Sequence, residues 1–177
     1  MTKRLKTPAL LALIVVVALA IAGCGGTTSG ADADAAKACV QTAMEDVRTL
    51  APDARQTILE ELDSHAKKPL DKMGVSGDEL VDDYFTDFSF EVGEATVTGN
   101  SAQVTVNVTC RSVRDIVAQL VEKCAGKWET AAPTLWELLD AAEPQQVQLS
   151  VSCTKGSEGT WSCDEGLKRA LTDLCLK

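Results

Sequence analysis

The first half of the chain arranges its apolar and polar residues with the period of an α-helix. From Asp34 onward, apolar residues recur at alternating steps of four and three, the spacing of one face of an amphipathic helix. These residues are Ala36, Val40, Ala43, Val47 and Leu50. Asp34 is of a residue type that commonly caps helices, so the pattern predicts a helix that begins there.

Two further helices are predicted before residue 88. Pro52 stands where the first turn of a helix tolerates proline, and the run Lys67-Lys68-Pro69 predicts the end of that helix because proline disrupts a helix interior. The stretch Ser76-Gly77-Asp78-Glu79 matches a capping box and predicts a short third helix. The predicted apolar faces consist of Ile58, Leu59, Leu62 and Ala66, and of Leu80, Val81, Tyr84 and Phe85.

The period then changes to two, which is typical of β-strands with one buried face. Apolar and polar residues alternate over 88–92 and, after a turn at Gly99-Asn100, over 104–110. The same alternation over 147–153, a turn over 156–159 and the pair Trp161 and Cys163 predict a second hairpin.

Helical spacing returns between the two hairpins and after the second one. Val113 to Cys124 predicts a helix that Gly126 breaks, and Thr134-Leu135-Trp136-Glu137 is a second capping box. Residues 167–174 predict a last helix. The sequence therefore predicts one α+β domain over residues 34–177. Its N-terminal helices pack on a curved antiparallel sheet of about four strands, with a helical insert and a C-terminal helix.

The amino-terminal segment has a different pattern. Three basic residues, Lys3, Arg4 and Lys6, precede an uncharged apolar run from Ala9 to Ala22. That run is shorter than the roughly 20 residues a membrane-spanning helix needs, and it has the flanks of a secretory signal. It leads into Ile21-Ala22-Gly23-Cys24, which resembles the lipobox of bacterial lipoproteins.

The lipobox resemblance implies that residues 1–23 are a cleaved lipoprotein signal and that the Cys24 thiol carries a diacylglycerol. The acyl chains on Cys24 would then attach the protein to membrane lipid, and the protein is expected at the extracytoplasmic face of the cell membrane. Two or more acyl chains bind membranes firmly where one binds reversibly. A plain signal or an uncleaved anchor with a chance cysteine is the alternative. Residues 24–33 are predicted to be a flexible Gly/Ser/Thr-rich tether.

Charge excludes one class of partner. The chain has 17 basic and 26 acidic residues, and the predicted signal holds three of the basic and none of the acidic ones. The mature chain would therefore carry a net charge of −12. Because nucleic-acid binding requires a basic surface, no nucleic-acid partner is expected.

Six cysteines remain beside Cys24, and an even number in an exported chain predicts disulfides. The pairs that the predicted topology favours are Cys153–Cys163, Cys110–Cys124 and Cys39–Cys175. Partial or intermolecular pairing is the alternative. No metal and no cofactor is expected, because the chain has no Cys-x-x-Cys pair and His65 is its single histidine.

Two stretches carry a resemblance to a known fold. They are "FSFEVGEATVTGNSAQVTVNVTCRSV" and "VQLSVSCTKGSEGTWSCDEGLKRAL", residues 88–113 and 147–171. Their order of hairpins and helices resembles small bacterial lipoproteins with a nuclear-transport-factor-like (cystatin-like) domain, in which a curved sheet wraps helices. The resemblance implies this fold; most such lipoproteins have no known activity.

Enzymes with that cone-shaped fold place an acid, a base or a tyrosine in an apolar pocket. The candidates are His65, Asp82, Asp83, Tyr84 and Asp87. Their spacing favours a simpler interpretation, in which the acids lie on a solvated helix face, Tyr84 belongs to the core and His65 lies at the surface near a helix end.

Among the three tryptophans, Trp161 is predicted to be core, and Trp128, beside Gly126, is the better candidate for an exposed contact with a sugar or peptide. The sequence favours a membrane-anchored binding or envelope-associated module that is not an enzyme. One alternative is a cone-pocket enzyme that uses Asp83, Tyr84 or Asp87. The other is a structural or stress-protective envelope protein.

Overall fold

A computed structural model describes residues 30–176, with side chains through residue 174. Over this range the chain forms six α-helices and an open four-stranded antiparallel sheet, which confirms the predicted α+β class. The helices are α1 (Gly30–Arg48), α2 (Pro52–Met73), α3 (Gly77–Tyr84), α4 (Val113–Cys124), α5 (Ala132–Ala141) and α6 (Asp164–Leu176). The strands are β1 (Ser89–Thr98), β2 (Ser101–Cys110), β3 (Gln145–Lys155) and β4 (Trp161–Ser162). Short 3-10 turns occupy Phe85–Asp87 and Trp128–Thr130.

The sheet has the strand order β1-β2-β3-β4, with each strand antiparallel to its neighbour. The inward positions of β2 are all buried, as the two-residue period predicts, and they are Ala102, Val104, Val106, Val108 and Cys110. The register of β1 against β2 shifts between Val92 and Ala95, and such a bulge bends a strand. β4 pairs with β3 at only two positions.

One face of the sheet is covered by α1 and α6, and this layer forms what we call the sheet core. Its buried residues are Ala36, Val40, Met44, Val47, Phe88, Ala102, Val104, Val106, Val108, Cys110, Leu149, Val151, Cys153, Trp161, Cys163, Leu167, Ala170 and Leu174. The opposite face is polar, and its side chains bond to one another. Gln103, for example, donates a hydrogen bond to Ser152 and accepts one from Ser150, both at 2.9 Å.

The remaining helices pack on each other and form what we call the helical core, built mainly by α2, α4 and α5. Its buried residues are Leu70, Met73, Val75, Ile116, Leu120, Ala131, Leu135, Leu138 and Leu139. Tyr84 is partly buried and packs against both cores. The end of α3 therefore lies where the two cores meet.

A glycine sets the distance between α6 and the sheet. A Cβ atom added at Gly166 would lie 2.0 Å from the backbone oxygen of Ser152 on β3. No side chain fits at that distance, so α6 can lie this close to β3 only with glycine at position 166.

The start of α1 differs from the prediction. The helix begins at Gly30, so the last four residues of the predicted tether are helical and Asp34 lies within the helix instead of capping it. Asp32 forms an ion pair with Lys155 on β3. This contact attaches the first turn of α1 to the sheet.

Two other helix ends were predicted wrongly. Helix α2 continues through Pro69 to Met73, and it ends at Gly74, whose φ is +67°. Burial of Leu70 and Met73 in the helical core offsets the roughly 3 kcal/mol cost of an interior proline. Helix α5 begins at Ala132, with Pro133 in its first turn, and not at the predicted capping box over residues 134–137.

Candidate functional site around Arg111

Among the described residues, the charged residue that is buried is Arg111, with 7% of its surface exposed. It directly follows Cys110, the last inward residue of β2. A buried guanidinium is costly unless carboxylates pair with it. Its surroundings therefore decide whether this part of the fold is stable.

Two acids supply those carboxylates. Arg111 Nη1 donates to Asp83 Oδ2 and Nη2 donates to Asp87 Oδ2, both at 2.8 Å. Nη1 also lies 3.2 Å from the backbone oxygen of Asp83. Asp83 is in the last turn of α3 and Asp87 ends the 3-10 turn that follows, so one guanidinium joins both segments to the end of β2.

Tyr84 completes this arrangement. Its hydroxyl donates to the backbone oxygen of Arg111 at 2.8 Å, and its ring meets Phe85 edge-on at 5.4 Å between centroids. Tyr84 thus packs α3 against the sheet, as the sequence predicted. Asp83 does not face water as predicted, because it is half-buried and held by Arg111.

The remaining candidates lie apart from Arg111. Asp82 is exposed and pairs with Arg55 of α2, and a hydrogen bond from that guanidinium holds the pKa of Asp82 below its usual range. His65 is exposed, 3.8 Å from a carboxylate oxygen of Glu61. It lies well inside α2 instead of near its end, because α2 continues past Pro69.

Two surface clefts lie elsewhere. One, of about 250 Å³, is lined by Thr105, Gln148, Ser150 and Asp173, among others. A broader one, of about 620 Å³, runs along α2 and the start of α3 and includes Arg55 and Asp78. Asp83, Tyr84 and Asp87 line neither cleft. The cluster around Arg111 therefore resembles a structural junction more than an open reaction pocket.

Two of the tryptophans differ in how deeply they are buried. Trp161 is buried in the sheet core, which confirms its predicted role. Trp128 is half-buried and packs against the helical core, so part of its ring is exposed and part contributes to stability.

The predicted disulfides are not formed over the described side chains, and the pairing stays a prediction. Over the described side chains Cys39, Cys110, Cys124, Cys153 and Cys163 are free thiols, so the structure contains neither Cys153–Cys163 nor Cys110–Cys124. Cys110 belongs to the sheet core, whereas Cys124 packs against the helical core. The side chain of Cys175, the predicted partner of Cys39, lies outside the described residues, as do Cys24 and the predicted signal over 1–23.

Three of these thiols lie together beneath β4. The sulfurs of Cys39 and Cys163 are 3.5 Å apart, and Cys39 Sγ also lies 3.4 Å from the backbone oxygen of Trp161. Burial raises the pKa of Cys153 to about 11 and raises that of Cys163 as well. Burial likewise raises the pKa of Cys110. Buried thiols of this kind are mostly protonated at neutral pH and react slowly.

Sequence reasoning missed Arg111. The available signal was a single basic residue at the end of a strictly alternating apolar strand, together with two acids spaced four positions apart at 83 and 87. Within residues 30–176 no group of three or more histidines, cysteines or acids has an arrangement that could hold a metal ion.

Comparisons with known proteins identify no family for this chain. The sequence matches no protein-family model and no curated protein. A crystal structure of a proposed lipoprotein, ycdA, from Bacillus subtilis subsp. subtilis strain 168 is similar over 70% of this chain, with 13% identity and a TM-score of 0.41. The chain spans 45% of that protein's length. In the part of the chain that the structure describes, every helix is too short or too polar to cross a membrane.

Proposed function

We propose that this chain is a lipoprotein, anchored through acylated Cys24 at the extracytoplasmic face of the cell membrane, whose folded domain binds an envelope component and catalyses no reaction. The observation that carries the proposal is the order of basic residues, short apolar run and Ile-Ala-Gly-Cys box in the first 24 residues. Acylation of one cysteine with two or more chains is sufficient for firm attachment.

The position of α1 limits the distance between the folded domain and the membrane. Only residues 25–29 separate Cys24 from Gly30, where the described part of α1 begins. Six extended steps reach about 20 Å at most. The domain is therefore expected to lie against the membrane surface, where its acidic charge favours no additional lipid contact.

The lipid anchor is tested with Cys24→Ser in the full chain. We expect the variant to remain an unprocessed precursor or to leave the membrane fraction, because no thiol is available for acylation. Cys124→Ser, which removes a half-buried thiol from α4, is the matched control and is expected to behave like the wild type. A Cys24→Ser protein that is processed and membrane-bound like the wild type would contradict the lipid anchor.

The absence of catalysis is supported by the pairing of Arg111. A general base needs a carboxylate that is free to accept a proton from a substrate, and here Asp83 and Asp87 both accept hydrogen bonds from one buried guanidinium. The enzyme alternative therefore requires Asp83 or Asp87 to break its hydrogen bond with Arg111. A turnover that Asp83→Asn abolished without loss of folding would favour it.

The binding role rests on Trp128. Its indole is partly exposed and is available for stacking on a sugar or peptide. Trp128→Ala in the full chain is expected to weaken binding of soluble peptidoglycan fragments, measured by calorimetry, more than Trp136→Ala does. Equal binding by both variants and the wild type would favour the purely structural alternative.

The resemblance to the nuclear-transport-factor-like cone belongs to the same proposal. It is supported by the bulge in β1 and by the packing of α1 and α6 on a single sheet face.

A further inference from the structure

The three thiols beneath β4 form a cluster that the disulfide prediction did not anticipate. Cys39 is on α1, Cys153 is on β3, and Cys163 follows β4. Cys39 and Cys163 are 124 positions apart in sequence, yet their sulfurs are separated by only 3.5 Å. We propose that Cys39 and Cys163 form a disulfide that joins α1 to the start of α6.

The geometry favours this pair over Cys153–Cys163. Extending the β3–β4 register by one position would place Cys153 opposite Cys163, which is why the sequence suggested that pair. The Cys153 thiol also interacts with Cys163, but its sulfur lies 4.0 Å from the backbone oxygen of Val151. The sulfurs of Cys39 and Cys163 lie 3.5 Å apart. A bond of about 2.05 Å requires the two sulfurs to approach by about 1.5 Å.

Burial sets the order of the chemical steps. Cys39 is half-buried, whereas Cys153 and Cys163 are buried. A small-molecule disulfide can therefore reach Cys39 first. High pKa values at the two buried thiols slow their direct reaction with an external oxidant.

The reaction is a thiol–disulfide exchange with a low-molecular-weight disulfide as oxidant. The Cys39 thiolate attacks one sulfur of that disulfide, forms a mixed disulfide and releases one thiolate, which takes up the proton that Cys39 lost. The Cys163 thiolate then attacks the Cys39 sulfur and releases the second thiolate, which takes up the proton of Cys163. Two electrons pass from the protein thiols to the oxidant, which leaves as two thiols.

The cross-link would hold the segment next to the membrane anchor to the last helix of the fold. Helix α1 begins six positions after Cys24, so any pull on the anchor acts on α1 first. The proposal rests on the extracytoplasmic location proposed above only for the supply of an oxidant in the cell. The pairing itself is testable in vitro.

Peptide mapping distinguishes the possible pairs. Cleavage after lysine and arginine places the three thiols in three peptides, residues 38–48, 128–155 and 156–168. The purified full chain in detergent is first reduced, then exposed to excess oxidised glutathione, and its remaining thiols are blocked with N-ethylmaleimide. We expect 38–48 to be linked to 156–168, with the 128–155 peptide carrying the blocking group.

Variants and stability provide the controls. Cys153→Ser is expected to retain the Cys39–Cys163 link, and Cys39→Ser to lose it. Closing so long a loop is expected to raise the thermal midpoint of the oxidised wild type by about 10 °C over the reduced protein. A link between 128–155 and 156–168, or no intrachain link in the wild type, would overturn the proposal. Neither result bears on the anchor, which the membrane fractionation of Cys24→Ser tests separately.

Discussion

The sheet core and the helical core bury their apolar residues to different extents. Val106, on strand β2, has no exposed surface, whereas Val117 on α4 is 49% exposed although both residues are equally apolar. Val106 lies between two neighbouring strands and beneath the helical layer of α1 and α6. The buried residues of helix α4 are Ile116 and Leu120, and Cys124 at its end packs against the helical core. Burial therefore depends on how many elements cover a residue, and the apolar pattern alone does not report it.

The two cores meet at Arg111 and Tyr84. The ion pairs of Arg111 hold α3 and the turn after it to the sheet, and Tyr84 packs against both cores. A buried, hydrogen-bonded charge at such a junction links the stability of the two halves.

The largest effect is expected from Arg111→Met. Removal of the guanidinium breaks its charge-assisted hydrogen bonds to Asp83 and Asp87, and each such bond contributes about 1.5–3 kcal/mol. Urea unfolding, followed by circular dichroism and by tryptophan fluorescence, measures the loss and shows whether the two cores still unfold together. Arg114→Met, an exposed arginine on α4, is the control and should differ little from the wild type. Arg111→Met within about 1 kcal/mol of the wild type would show that the junction is unimportant.

Gly166→Ala is expected to destabilise the sheet core by about 2–3 kcal/mol. The added methyl group would lie 2.0 Å from a backbone oxygen of β3, so α6 must move outward, and overpacking of this kind is costly. Gly77→Ala is the control, because its new Cβ would meet side-chain atoms of α2 at ordinary contact distances of 3.4 and 3.5 Å. Thermal melts should show Gly77→Ala near or above the wild-type midpoint. Equal midpoints for the two variants would contradict the close packing of α6.

A valine-to-alanine substitution in each core tests directly whether burial differs between the sheet core and the helical core. Val106→Ala should cost about 2 kcal/mol, from lost burial and a cavity that its neighbours cannot fill. Val117→Ala should be nearly neutral or slightly stabilising, because alanine is the better helix former and little surface is lost. Both free energies come from urea unfolding. Comparable losses would contradict the difference in burial between Val106 and Val117.

The smallest effect is expected from the ion pair between α1 and β3. A hydrogen bond from Lys155 lowers the pKa of Asp32 from 3.8. Because the pKa of Asp32 is lower in the folded than in the unfolded protein, the ion pair stabilises the fold at pH values above the unfolded-state pKa. This stabilisation is lost as the pH falls through the folded-state pKa. The thermal midpoint of the wild type should therefore fall more steeply below about pH 4 than that of Lys155→Met, whereas Lys123→Met on α4 should keep the wild-type slope. Parallel curves for all three proteins would show that the pair contributes nothing.

Much of the architecture was predictable from local patterns. Alternation over residues 104–110 identified β2 and its buried face, because the side-chain period of a strand is set by the backbone itself. Pro52 marked the start of α2, and Trp161 was correctly assigned to the core. The helix ends near Pro69 and Thr134 were mispredicted, because burial of distant neighbours outweighed the local signals.

The sequence by itself determined the α+β class and the inward face of the sheet, since each depends on the spacing of residues along the chain. The lipoprotein signal up to Cys24 also comes from the sequence alone and stays a prediction. Only the tertiary structure decided that Arg111 joins Asp83 and Asp87 and that Cys39 faces Cys163. These partners are 24 to 124 positions apart in sequence. Such contacts depend on how helices and strands pack, and packing direction is set by many apolar contacts at once. No local pattern encodes them.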